Sequence, residues 1–257
     1  MLLTIDVGNT QVALGMFDGD DLIGHWRVST NADATFDEVR WQISGILGAD
    51  GFSQSDILGI AISSVVPAIT TSLRRVAPHI TTGEVVVVEP GTKTGLSIEI
   101  DNPREVGADR VVNSVAVRER HGEPAIVVDF GTSTNFDVVG PDGAYLGGAI
   151  APGLEISTDA LVSGTAALRN VEFAEPRSVI GKGTVEAIQS GALYGHAGLV
   201  DGIIERIAAE LGGDVQRVAT GGLASTIVPH CHSVDTIDPY LTLEGLKIIY
   251  DLNRETT

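Results

Sequence analysis

The chain has 257 residues, enough for one large core or for two lobes, and no window approaches the roughly 18 uncharged apolar residues that a membrane helix needs. With 16 basic against 34 acidic residues its net charge is −18, which repels nucleic acid and anionic membrane alike. An anionic nucleotide can still bind where backbone N–H groups and a cation offset that field locally.

The first residues, Met1 to Asp6, hold no basic stretch and lead straight into structure, so a cytoplasmic protein is expected. Leu2-Leu3-Thr4-Ile5 reads as a strand that ends on Asp6, followed by Gly8, Asn9 and Thr10. Within Met16 to Val28, Asp18-Gly19 stands between apolar strands, the signal of a hairpin. Phe36, Val39, Ile43, Ile46 and Leu47 have helical spacing. A buried strand over 58–67, a helix over 68–77, a strand over 83–90 and a helix over 111–120 follow.

From Ala125 the order begins again. Asp129-Phe130-Gly131-Thr132-Ser133 overlies Asp6-Val7-Gly8-Asn9-Thr10, and Asp142-Gly143 supplies the second hairpin turn within Val138 to Ile150. A long helix over 184–211, a strand into a double-glycine turn over 216–222 and a closing helix over 242–253 complete the half. Three antiparallel strands followed by alternating helices and strands, done twice, resemble the ribonuclease H-like lobes of actin and the sugar kinases. The fold expected is α/β, with lobes at 1–118 and 119–257 and a nucleotide cleft between them. Cys231 is the lone cysteine, and its neighbours His230 and His232 cannot complete a tetrahedral zinc site without distant ligands.

Phosphoryl transfer needs a cradle for the polyphosphate, a divalent cation and a residue that orients or deprotonates the acceptor. Gly8 permits close backbone approach to an anion, Asn9 and Thr10 bring side-chain donors, and Asp6 can hold magnesium directly or through water. Asp129, Gly131, Thr132 and Ser133 form the matching cradle. A carboxylate beside glycine often does no more than cap its own turn, but two copies in equivalent positions favour the phosphate reading. Asp109 and Arg110 stand at the start of a helix, where Asp109 is either a cap or a general base; spacing alone does not choose. Ala219 to Gly222 either lies flat against a base or ribose, or simply turns.

These stretches resemble the type III pantothenate kinases over essentially the whole chain: Asp6 to Thr10 and Asp129 to Thr134 the family's two phosphate motifs, Gly107 to Arg110 its acceptor motif, Gly147 to Gly153 its glycine-rich segment, and Ala219 to Gly222 its adenosine motif. The resemblance implies ATP-dependent phosphorylation of pantothenate, the first step toward coenzyme A. It makes Asp109 the base and lines the pantothenate site with Gly107, Ala108, Arg110 and Thr184. It gives ATP to Asp6, Val7, Gly8, Asn9, Thr10, Gln11, Val12, Ala13, Thr132, Gly221 and Gly222, and a monovalent cation (potassium or ammonium) to Asp129 beside magnesium. A homodimer without nucleic-acid or membrane partners is implied. One position departs: where many relatives carry tyrosine, this chain has Ile100. Another small-molecule kinase or phosphatase on the same plan, or a non-catalytic regulatory relative, is the rival reading.

Overall fold

The computed structural model describes residues 1–165, 172 and 174–254. The chain forms two compact units, Met1–Ser97 with Asp101–Glu119 and Tyr240–Thr257, and Ile98–Ile100 with Arg120–Pro239.

The first unit begins with β1 (Leu2–Val7), β2 (Gln11–Asp18) and β3 (Asp21–Ser29), an antiparallel meander. The Asp18-Gly19 signal holds, because Gly19 takes φ +60, a conformation that costs glycine least. Helix α1 (Phe36–Ala49) opens with a capping box between Thr35 and Glu38 and buries Val39, Ile43 and Leu47. Next come β4 (Gly59–Ser64), α2 (Pro67–Val76) and β5 (Glu84–Val87). Strand β4 is shorter than the apolar run suggested, since Pro67 fits the first turn of α2 and the last tie to β1 is the Val65 N–H, which donates to the Val7 carbonyl at 3.0 Å. The sheet order is β3-β2-β1-β4-β5, with β4 parallel to β1 and β5 parallel to β4. Helix α3 (Ala108–His121) follows, three residues longer at its start than its apolar spacing indicated.

In the second unit β6 (Ala125–Phe130), β7 (Ser133–Val139) and β8 (Tyr145–Pro152) repeat the meander. Then come α4 (Leu154–Ser163), α5 (Thr184–Leu211), β9 (Gln216–Thr220), α6 (Ala224–Ile227) and β10 (Thr236–Ile237). The sheet order, β10-β9-β6-β7-β8, is that of the first unit read from its other edge, and β9 is parallel to β6 as β4 is to β1. The duplication inferred from two aspartate motifs is therefore a duplication of topology.

The closing helix, α7 (Leu241–Asn253), belongs to the first unit, although a division at 118/119 assigned it to the second. Its Leu246 and Ile249 are fully buried with Ala61, Val112 and Val115, so α7 and α3 cover the sheet face that α1 and α2 leave open. Burying one such side chain is worth about 1.5–3 kcal/mol. Conversely, Ile98–Ile100 joins the second unit: Glu99 N–H donates to the Tyr145 carbonyl at 2.8 Å, and Ile98 bridges Tyr145 in parallel.

Candidate active site

In the first unit the turn between β1 and β2 is set by Gly8. Its N–H donates to the Gln11 carbonyl at 2.9 Å, and a β-carbon on it would stand 3.2 Å from that same oxygen. Thr30, just past β3, locks the loop by donating its hydroxyl to the Gly8 carbonyl at 2.7 Å. Sequence spacing did not single out Thr30, because only the three-strand register brings it there. Val7 is buried, Asp6, Gly8, Val12 and Ala13 are half-buried, and Asn9, Thr10 and Gln11 are exposed. The turn thus offers polar groups outward from an apolar strand end.

Asp109 is the second residue of α3. Its Oδ1 accepts the Arg110 N–H at 2.9 Å, as a helix-start carboxylate should. It is also half-buried. Burial raises its pKa above the ordinary 3.8, outweighing the lowering by the Arg110 N–H and guanidinium. Gly107 lies close beside it: a β-carbon there would stand 2.4 Å from Asp109 Oδ1, so the carboxylate in this rotamer uses the space that glycine leaves. Asp109 is therefore a half-buried carboxylate of heightened basicity, not the exposed cap that a helix start suggests.

In the second unit the equivalent turn is tighter. Gly131 N–H donates to the Ser133 carbonyl at 3.0 Å, and Asp129 faces Asn135 across β6 and β7 where Asp6 faces Ala13 across β1 and β2. Two glycines close over it. A β-carbon on Gly221, at φ +93, would lie 2.6 Å from Asp129 Oδ1; one on Gly153 would lie 2.3 Å from the Thr132 carbonyl oxygen and 2.8 Å from that of Gly131. Gly153, the last residue of the glycine-rich segment, was not among the expected site residues, yet its missing side chain admits Thr132. Thr132 and Gly222 are exposed. Beneath the turn, the Thr134 hydroxyl and His196 Nε2 of α5 are 2.9 Å apart, and burial holds His196 below its ordinary pKa of 6.5. Thr184 is the exposed first residue of α5, behind Gly183, which gives no side-chain cap.

Among the described residues no group of three or more His, Cys, Asp or Glu side chains is placed to hold a metal ion. The Cys231 thiol is pushed up to about 12 by burial and by Asp201, so it stays protonated. Carboxylates Asp6 and Asp129, and the carbonyls of Gly131 and Thr132, are hard oxygen donors of the kind that magnesium and potassium take. Magnesium is commonly held by one or two carboxylates together with substrate phosphates, not by a protein cage, so the residues present fit.

A duplicated five-stranded sheet with a strand-end aspartate and a glycine turn in each copy is the fold of the actin and sugar-kinase class. Solved structures share the fold. The Acidaminococcus fermentans (R)-2-hydroxyglutaryl-CoA dehydratase component A matches with TM-score 0.57 at 15% identity, covering 97% of this chain and 96% of that one. MreB5 of Spiroplasma citri bound to ADP matches with TM-score 0.54 at 12% identity, covering 99% and 98%. The sequence model of the type III pantothenate kinase family matches residues 2–206. A type III pantothenate kinase of Parafrankia sp. is 52% identical over 256 residues, 99% of each chain, and that of Thermobifida fusca is 49% identical over 257 residues, 98% of this chain and all of the other. The chain belongs to the type III pantothenate kinase family.

Proposed function

We infer that the protein transfers the γ-phosphoryl group of ATP to the terminal hydroxyl of pantothenate, giving 4'-phosphopantothenate for coenzyme A synthesis. Full-length identity of about half to enzymes of that name supports the acceptor. The observation that carries the chemistry is Asp109, a carboxylate made more basic by burial at the start of α3. A base with a pKa closer to the working pH transfers protons more effectively. The Asp109 carboxylate takes the hydroxyl proton as the new O–P bond forms and ADP leaves. Gly107 and Ala108 leave room for the acceptor, and Arg110 pairs with the carboxylate of pantothenate. The family resemblance alone gives Thr184 a part in pantothenate binding.

In each unit the strand-end turn, Asp6 to Ala13 in the first and the one carrying Thr132 in the second, is suited to nucleotide phosphates through exposed N–H and hydroxyl groups, and Gly221 with Gly222 offers a flat backbone surface to the adenosine. Asp6 would hold magnesium and Asp129 a monovalent cation, potassium or ammonium. When bound, these ions neutralise charge developing on the transferred phosphoryl group and on ADP.

A homodimer in the cytoplasm is part of the same reading. Ile150 on β8 and Ile180 before α5 are 65% and 70% exposed, with Ile156, Leu161, Val179 and Val185 also exposed on α4 and around the start of α5. Exposed apolar side chains such as these are what a second copy would cover if they lie together. No described helix is long and apolar enough to cross a membrane. Ile100, whose Cγ2 would be 3.4 Å from a β-carbon on Gly147, brings an apolar surface where many relatives bring a phenol. A screen of small alcohols with radiolabelled ATP tests the acceptor: label should enter pantothenate, and label entering a sugar or another alcohol instead would overturn the assignment.

A further inference from the structure

Ser63, the penultimate residue of β4, is fully buried, and its hydroxyl makes no hydrogen bond among the described residues. It shares a sheet face with Ala61, which packs with Val86, Val88 and Val112, so packing alone would favour an aliphatic side chain there. An unsatisfied buried hydroxyl costs about 1–3 kcal/mol, and costs of this kind are expected where function needs the group.

The parallel register pairs Ser63 with Asp6, so the two side chains leave adjacent strands on one face. Neighbouring strands are about 4.8 Å apart, and a serine hydroxyl moves between staggered positions at little cost. The second unit repeats the arrangement: Asp129 pairs in parallel register with Thr220, also buried. Both copies thus set a hydroxyl residue flush with the strand-end aspartate, although the sequences that follow, Ser64-Val65 and Gly221-Gly222, have nothing in common.

We propose that Ser63 is a positioning residue for Asp6, donating its hydroxyl to the Asp6 carboxylate and holding it oriented when the nucleotide and its divalent cation bind. This rests on the role given above to Asp6. A hydrogen bond to a carboxylate both fixes its direction and favours its charged form.

Calorimetric titration of the full-length protein with ADP, in magnesium and in EDTA, tests it. Ser63→Ala should weaken binding of magnesium ADP about tenfold, the scale of one hydrogen bond to a charged group, leave binding in EDTA unchanged, and melt no lower than wild type. Ser63→Cys, of similar size but a weak donor, should show the same loss, whereas Ser63→Thr should retain affinity, as threonine already occupies the matching position in the second unit. In an Asp6→Asn background, Ser63→Ala should add nothing. The proposal is overturned if Asp6→Asn weakens magnesium ADP while Ser63→Ala does not, if Ser63→Thr loses as much as Ser63→Ala, or if the two losses add. Unchanged binding by Asp6→Asn itself would instead remove the role of Asp6, and the proposal with it.

Discussion

Gly221 presses its backbone onto Asp129: a β-carbon on it would stand 2.6 Å from the carboxylate Oδ1 and equally close to the N and O of Phe130. The turn after β9 therefore sits directly on the strand-end carboxylate, and its φ of +93 belongs to glycine alone for steric reasons. One contact thereby joins the turn after β9 to the end of β6.

Gly221→Ala should consequently do two kinds of damage. A left-handed non-glycine residue costs about 1–2 kcal/mol, and overpacking about 1–3 kcal/mol more. Thermal unfolding should show a clearly lowered midpoint, and nucleotide binding should fall with it. A variant that melts like wild type would mean that the turn has room to shift away from Asp129.

For Asp109→Asn, kcat should drop about 10²-fold or more, the scale of a lost general base. Stability should move the other way. Burial raises the folded pKa above 3.8, so the carboxylate is destabilising once ionised and that cost develops as pH rises from 3.8 through the folded value. The asparagine variant should melt at about the wild-type temperature near pH 3 and above it at neutral pH. The acid limb of the wild-type kcat/KM profile should likewise lie above the usual aspartate range. Wild-type turnover in the variant would return Asp109 to the role of helix cap.

Much of this arrangement was legible because it is local. The strand ending in Asp6, the Asp18-Gly19 turn, the start of α1 at Phe36 and the whole span of α5 follow from side-chain period and turn chemistry. The destination of α7 was not, since its spacing of Leu243, Leu246 and Ile249 shows that one face is buried but not which sheet buries it. Asp109 was ambiguous for a related reason. A carboxylate at a helix start looks alike as cap or base, and the burial that bears on the choice comes from tertiary packing that spacing does not show. Short α6 and β10 carry too few residues for any period to show.

His196 supplies an acid-sensitive support under the second turn. Burial lowers its folded pKa, so below about 6.5 the unfolded chain gains a proton that the folded chain refuses, and stability falls as pH drops from there toward the folded value. His196→Leu should lose that component, giving a flatter melting profile as pH falls below about 6.5. At neutral pH it should be less stable by about 1–3 kcal/mol, because the Thr134 hydroxyl loses its partner. An unchanged profile would show that His196 titrates freely in the fold.

Asp129→Ala should abolish activation by potassium while leaving pantothenate as the acceptor. A mutant whose rate still rises with potassium as the wild type does would show that another group holds the cation.

The most direct measurement is a coupled assay of ADP release by the wild-type protein with pantothenate as sole acceptor, run with and without potassium. ADP should form only when pantothenate is present, faster with potassium, and with an equal amount of phosphopantothenate. ADP release at the same rate without pantothenate, or none with it, would contradict the account.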